Sequence, residues 1–229
     1  MADRSVLVTG GTGGLGGAVT QAFLDLGWRV VVPVREAGGA PAPAGTVTVP
    51  GVDLTEPEAV RVAVAAAAAE PGAPLRAAVN LVGGYAGGSK VHETPLVDFE
   101  RQYTLNVRPT FLVTQAVLPH LVAAGGGSIV CVASRAAVNP FAGAAGYISS
   151  KAAVLAFAQA VAVEYRDTGV RCNTVLPSVI DTPANRAAQP TADHSRWVAP
   201  AEIAAVIGFL AGDGSAPVSG AAVPVYGRA

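Results

Sequence analysis

With 229 residues the chain has enough length for one sizeable α/β domain and too little for two full ones. Fifteen Lys and Arg residues stand against 16 Asp and Glu, a net charge of −1, and no basic run or helix face could track a phosphate backbone, so nucleic acid is not an expected partner. The hydrophobic share is high at 51%, but polar residues interrupt every apolar run before the ~18 positions a membrane helix needs, and no membrane partner is expected.

The N-terminus passes almost directly into an apolar strand pattern, without a basic leader or cleavage site, and a cytoplasmic protein is expected. Strand signals begin with SVLV at Ser5, followed by a glycine-rich turn and a helix over roughly 14–26 that Gly27 ends. RVVVPV from Arg29 and TVTVP from Thr46 are the next strands, joined by a loop over 36–45. A helix then starts after Thr55, with Pro57, Glu56 and Glu58 at its N-terminus, and stops near Pro71. AAVNLV from Ala77 leads into GGYAGG, read as a flexible loop over the ligand edge, and then into one helix over 96–123. SIVCVAS from Ser128, a helix over 146–167, VRCNTVLP from Val170, a helix after Pro200 and AVPVY from Ala222 complete the order.

Continuous apolar strands alternating with helices specify a parallel sheet buried on both faces. The expected fold is therefore one doubly wound Rossmann domain over 1–229, a seven-stranded parallel sheet with helices on both faces. Cys131 and Cys172 fall inside strand runs and are expected as buried, reduced thiols; no disulfide scaffold or metal site is indicated.

Chemistry concentrates in four places. The loop Thr9-Gly10-Gly11-Thr12-Gly13-Gly14-Leu15-Gly16 sits between a buried strand and a helix start, the context in which glycines admit a pyrophosphate to backbone N–H groups. Tyr147 and Lys151 lie four residues apart, so a phenol and an ammonium share one helix face. By itself that pair is a weak signal. Ser134 stands at the carboxyl end of a strand, where ligands meet open parallel sheets, and Asn106 is a polar amide within an apolar helix pattern.

Taken together, these residues resemble the short-chain dehydrogenase/reductase family in its shorter, oxidoreductase branch. The loop matches TGxxxGxG, and equally the TGxxGxxG of longer epimerase-type members; the second half of the chain favours the shorter branch. The resemblance implies a catalytic tetrad of Asn106, Ser134, Tyr147 and Lys151. Tyr147 would give the proton, Lys151 would stabilise the phenolate and bind the nicotinamide ribose, Ser134 would bond the substrate oxygen, and Asn106 would hold a water. It also implies cofactor contacts at Gly10, Thr12, Gly14, Leu15 and Gly16. Asp53-Leu54 is similar to the pair that holds adenine. Asn80-Leu81-Val82-Gly83 resembles NNAG, with Asn80, Val82 and Gly83 as contacts. The segment from Pro177 to Pro183 resembles PGxxxTP, with Ser178 replacing glycine and with Pro177, Val179 and Thr182 near the cofactor.

For Tyr147 to work near neutral pH, an adjacent cation is expected to lower its pKa by about three units, roughly 4 kcal/mol, and Lys151 and the positive charge of the oxidised nicotinamide are the candidates. At the end of the second strand Val34 occupies the position of the acid that binds a ribose 2′-OH, and Arg35 follows, so NADPH is expected over NADH. Glu36 could neutralise that arginine. A lid over 182–197 carries Asn185, Arg186, His194 and Arg196, and Tyr85, Phe141, Val179 and Trp197 could wall an apolar pocket for small or planar carbonyl compounds.

Three functions fit: a carbonyl/alcohol oxidoreductase, a quinonoid dihydropteridine reductase-like enzyme, and an NADP-binding regulatory protein. GGYAGG and the short lid favour the second, Ser134 counts against it, and the intact tetrad counts against the third. The helices around Phe111 and after Tyr147 are apolar on more than one face, and with the resemblance they imply a homotetramer or homodimer.

Overall fold

The computed structural model describes residues 2–35 and 40–228, so Glu36 and the adjoining part of the 36–45 loop lie outside the described residues. Seven strands, β1 (Ser5–Thr9), β2 (Arg29–Pro33), β3 (Val47–Val49), β4 (Leu75–Asn80), β5 (Gly127–Val132), β6 (Val170–Pro177) and β7 (Ala222–Val225), form one parallel sheet in the order β3-β2-β1-β4-β5-β6-β7. Each expected strand run is present. The helices are α1 (Gly16–Asp25), α2 (Pro57–Ala68), α3 (Leu96–Asn106), α4 (Arg108–Ala123), α5 (Ala145–Glu164), α6 (Pro183–Ala188) and α7 (Pro200–Ala211).

Alternate side chains of the strands fill two cores. Leu7, Ala78, Ile129 and Cys172 pack with Val64 of α2, Val117 of α4 and Val154 of α5. Val6, Val8, Val30 and Val130 pack with Phe23 of α1 and Ile203 and Ile207 of α7. Burial on both faces is why the strands read as unbroken apolar runs. Both cysteines are buried and free.

The helix expected over 96–123 is two helices, α3 and α4, parted at Val107. Pro109 has no N–H for the carbonyl of Leu105, so the helical ladder loses a bond there. Short α6, in the lid, was not anticipated; Pro183 opens it and the Thr182 hydroxyl caps it by accepting from the Asn185 N–H at 3.2 Å. At 20 residues, α5 is long and apolar enough to cross a membrane by composition; here it packs against α3 and β6.

Between β1 and β4 the strand order reverses, and this opens a crevice at the carboxyl edge. Thr9 and Asn80 end those strands in register. The Thr9 hydroxyl ties the edge by donating to the Val79 carbonyl (3.2 Å) and accepting from the Leu81 N–H (3.1 Å). A cavity of about 640 Å³ lies at the opposite edge, beside Arg4, Arg76 and Arg171. Three of its arginines are engaged: Arg171 donates to the Leu210 and Gly212 carbonyls at the end of α7, Arg76 to the Ala124 carbonyl at the end of α4, and Arg4 pairs with Asp213. Arg171 and Arg76 offset the negative ends of helices, which makes this cavity a packing seam and leaves the carboxyl edge for the chemistry.

Candidate active site

The glycine loop leaves β1 through Gly10, whose φ of +68° a side chain would strain, and Gly13 N–H closes the turn on the Gly10 carbonyl at 2.9 Å. A Cβ on Gly16 would lie 1.9 Å from the Gly10 oxygen, and one on Gly14 would lie 2.8 Å from Thr182 Cγ2. Gly13, by contrast, would put a Cβ no nearer than 3.3 Å to anything, so Gly14 and Gly16 carry the packing demand of the TGxxxGxG spacing. Among the described residues nothing accepts from the N–H groups of Gly14, Leu15 and Gly16, and the first turn of α1 has no acidic side chain. Free donors at a helix N-terminus beside glycine-only surfaces fit a dinucleotide pyrophosphate. Thr12 is half-buried in the same turn. Val82 lies against Gly10, with its Cγ2 3.3 Å from the point a Cβ would occupy.

The tetrad positions converge at the same edge. A Cβ on Gly83 would stand 2.6 Å from Asn106 Oδ1 and 3.0 Å from Lys151 Nζ, which puts the NNAG-like segment directly against two of them. Asn106 is fully buried; its Oδ1 accepts from the Gly84 N–H (2.9 Å) and its Nδ2 donates to the Gly84 carbonyl (3.1 Å) and to Ser150 Oγ (3.0 Å). Ser150, which sequence reasoning passed over, donates in turn to the Tyr147 carbonyl at 2.8 Å. A buried serine between the tyrosine and the lysine was the available signal. Lys151 Nζ donates to the Val132 carbonyl at 3.0 Å. Ser134 Oγ accepts from the Ala136 N–H at 3.1 Å and is near enough to the Tyr147 phenol to lower its pKa.

Burial holds the Tyr147 phenol above its usual pKa, the Ser134 hydroxyl pulls it partly back, and the Tyr85 phenol adds to the rise; Lys151 is not among the causes. Lys151 itself is pulled down to about 8 by burial, against an opposing pull from Cys131. In the protein alone, loss of water around the phenol is the largest influence on it; the positive charge of an oxidised nicotinamide, the other expected cation, would act in the opposite direction.

Two further readings change. GGYAGG is clamped: besides the Gly84–Asn106 pair, Ala86 N–H donates to Gln102 Oε1 (3.3 Å) and Gly88 N–H to the Gly143 carbonyl (2.7 Å). Of the four suggested pocket residues, Tyr85 meets Tyr147 edge-on and has the Phe141 ring 6.4 Å away as its other contact, Trp197 packs tilted on His194 with centroids 4.3 Å apart, and the Val179 carbonyl accepts from the Val198 N–H. His194 bonds the Gln189 carbonyl (2.9 Å), Arg186 pairs with Asp181, Asn185 Nδ2 donates to the Ile180 carbonyl (2.8 Å), and Arg196 Nε reaches the Arg228 carbonyl (3.4 Å), so all four polar lid residues have local partners.

At the outer end of the crevice Val34 is packed on the α1/α7 core and offers no acid. Arg35 is exposed and reaches Asp53 Oδ1 at 3.2 Å, while that same oxygen accepts from the Thr55 N–H and hydroxyl. These bonds, those from Thr55 foremost, hold the Asp53 carboxyl below its usual pKa. Leu54 buries its side chain in the core, leaving only main chain to face a ligand. Asn80 also turns inward: its Nδ2 donates to Thr114 Oγ1 (3.1 Å) and its Oδ1 is buried without a partner. Pro177 ends β6, and Ser178 fits where glycine was the norm because its hydroxyl donates to the Tyr226 carbonyl at 2.8 Å.

The sequence profile described as short chain dehydrogenase matches residues 4–193. The chain is 34% identical over 245 residues to the 2-(R)-hydroxypropyl-CoM dehydrogenase of Xanthobacter autotrophicus, covering 98% of each. It is 33% identical over 240 residues to the D-threitol dehydrogenase of Mycolicibacterium smegmatis, covering 98% of this chain and 92% of the other. Among solved structures, a short-chain type dehydrogenase/reductase from Mycobacterium ulcerans matches with a TM-score of 0.90 at 27% identity, over 100% of this chain and 90% of that one. Profile, relatives and fold agree with the crevice just described: the chain belongs to the short-chain dehydrogenase/reductase family and is an NAD(P)-dependent oxidoreductase.

Proposed function

We propose that this oxidoreductase reduces a small-molecule carbonyl compound to an alcohol with NADPH, and that Tyr147 supplies the proton. The observation that carries this reading is the convergence of Gly83, Asn106 and Lys151 at one sheet edge, with the half-buried Tyr147 one helical turn from Lys151 and tied through Ser150 to Asn106. Gly10, Gly14 and Gly16 let the loop pack against Val82, Thr182 and the Gly10 carbonyl, which leaves the N–H groups of Gly14, Leu15 and Gly16 for the dinucleotide, with Thr12 in the same turn and Gly83 at the neighbouring strand end. When bound, the nicotinamide cofactor supplies the hydride. Ser134 Oγ, already accepting from Ala136, donates to the substrate oxygen and orients it. Tyr147 then gives its proton to that oxygen; a raised phenol pKa suits this step, because the group is fully protonated at neutral pH and an alkoxide is a far stronger base than a phenolate. Lys151, buried beside Gly83 and one helical turn from Tyr147, is the cation available to the negative charge that appears once the proton has left. Asn106, bound twice to Gly84 and once to Ser150, holds the floor of the site in place.

The dihydropteridine-type alternative is disfavoured by Ser134, which has a place at the phenol. Cytoplasmic location and pairing of subunits through α4 and α5 belong to the same proposal.

Replacing Tyr147 by Phe tests it. Positioned acid–base groups contribute about 10² to 10⁴ in rate, so kcat for ketone reduction should fall by that order while NADPH affinity stays within a few-fold. Lys151→Ala should lose both rate and affinity. A Tyr147→Phe enzyme keeping more than about a tenth of wild-type turnover would place the proton source elsewhere.

A further inference from the structure

Tyr85 projects from a loop that is held on both sides, by Asn106 and Gln102 from α3 and by the Gly143 carbonyl from the segment before α5. Gly87 fits beneath it because a Cβ there would stand 2.7 Å from the Gly143 oxygen and 2.8 Å from the Tyr85 hydroxyl. The ring therefore has a set position. It meets the Tyr147 ring edge-on, with centroids 5.0 Å apart at 84°, and lies 6.4 Å from the Phe141 ring. Even so, Tyr85 is 61% exposed and Phe141 50% exposed, an unusual openness for two large rings next to a proton donor. An aromatic surface rigidly presented beside the reacting atom favours a flat, polarisable partner, because ring faces and edges attract each other beyond simple burial of area.

We infer that Tyr85, with Phe141, is a specificity-determining residue that selects substrates whose carbonyl is attached to a planar aromatic group over saturated substrates of equal size. This rests on the carbonyl-reductase reading and names its substrate class. A ring–ring contact is worth about three- to tenfold in discrimination.

The test compares acetophenone with cyclohexyl methyl ketone, which share a carbon skeleton and differ in planarity, in wild type, Tyr85→Phe and Tyr85→Ala. The expected result is a ratio of kcat/KM for the two ketones that falls about three- to tenfold in Tyr85→Ala and stays within about twofold of wild type in Tyr85→Phe. If Tyr85→Ala slows both ketones equally, the ring only supports Tyr147 and the inference is overturned. Should the wild type reduce neither ketone, the carbonyl-reductase reading fails separately. Calorimetric titration of both ketones into the NADPH-loaded protein then decides the inference: tighter acetophenone binding that Tyr85→Ala abolishes sustains it, and equal affinities overturn it.

Discussion

Arg35 and Val34 decide the nucleotide preference proposed above. Val34 is apolar and packed, so no carboxylate stands ready for a ribose 2′-OH. Arg35 is 68% exposed and its bond to Asp53, itself 48% exposed, is a solvent-screened pair of little net value. Such a guanidinium exchanges readily to a 2′-phosphate, and charge-assisted bonds of that kind are worth about 1.5 to 3 kcal/mol. NADPH should therefore exceed NADH in kcat/KM by about tenfold or more, and Arg35→Ala should erase most of the gap in steady-state kinetics. Equal use of both nucleotides by the wild type would remove the assignment. Tyr147 shows the limit of reading at this scale. Its spacing from Lys151 was legible, but the burial that raises its pKa in the protein alone was not, because that depends on neighbours distant in sequence.

Among the elements, the turn from β1 into α1 is the most demanding. A methyl group on Gly16 cannot be absorbed by rotamer change, because its obstacle is the Gly10 backbone oxygen. Gly16→Ala should lower the melting temperature by roughly 5 °C or more and abolish NADPH binding in calorimetric titration. Gly17, one position on, has nothing within 4 Å of its would-be Cβ, so Gly17→Ala should leave binding intact and raise helix stability by about 0.5 to 1 kcal/mol. A Gly16→Ala protein with unchanged melting and binding would refute this account of the loop. The α3–α4 break belongs here too. Pro109 was visible in the sequence, but a proline near a helix start and a proline interrupting a longer helix look alike until the side chain of Asn106 is seen bonded to Gly84.

On the scale of the molecule, α4 and α5 leave a groove of about 590 Å³ lined by Phe111, Leu118, Phe157 and Val161, with Phe111 44% exposed and its ring 5.9 Å from that of Phe157. Exposed apolar surface of this kind favours a covering partner, and a second copy of the chain is the one proposed. Light scattering at micromolar concentration should give a dimer or tetramer, and Phe111→Glu should shift it to a smaller species. A monomeric wild type would contradict the proposal.

Periodicity and breakers were sufficient to determine the seven strands, the alternation with helices and the glycine turn, since each depends on residues within a few positions of one another. The residue types of the site were also legible, because Tyr147 and Lys151 lie one turn apart and Ser134 ends a strand. Only the tertiary structure decided that Thr182 closes on Gly14, that Gly83 faces both Asn106 and Lys151, that GGYAGG is clamped, and that Tyr85 stands between Phe141 and the Tyr147 ring edge. Those contacts join segments far apart in the chain, and their geometry comes from how β1, β4, β5 and β6 set their carboxyl ends side by side, information that no local pattern contains.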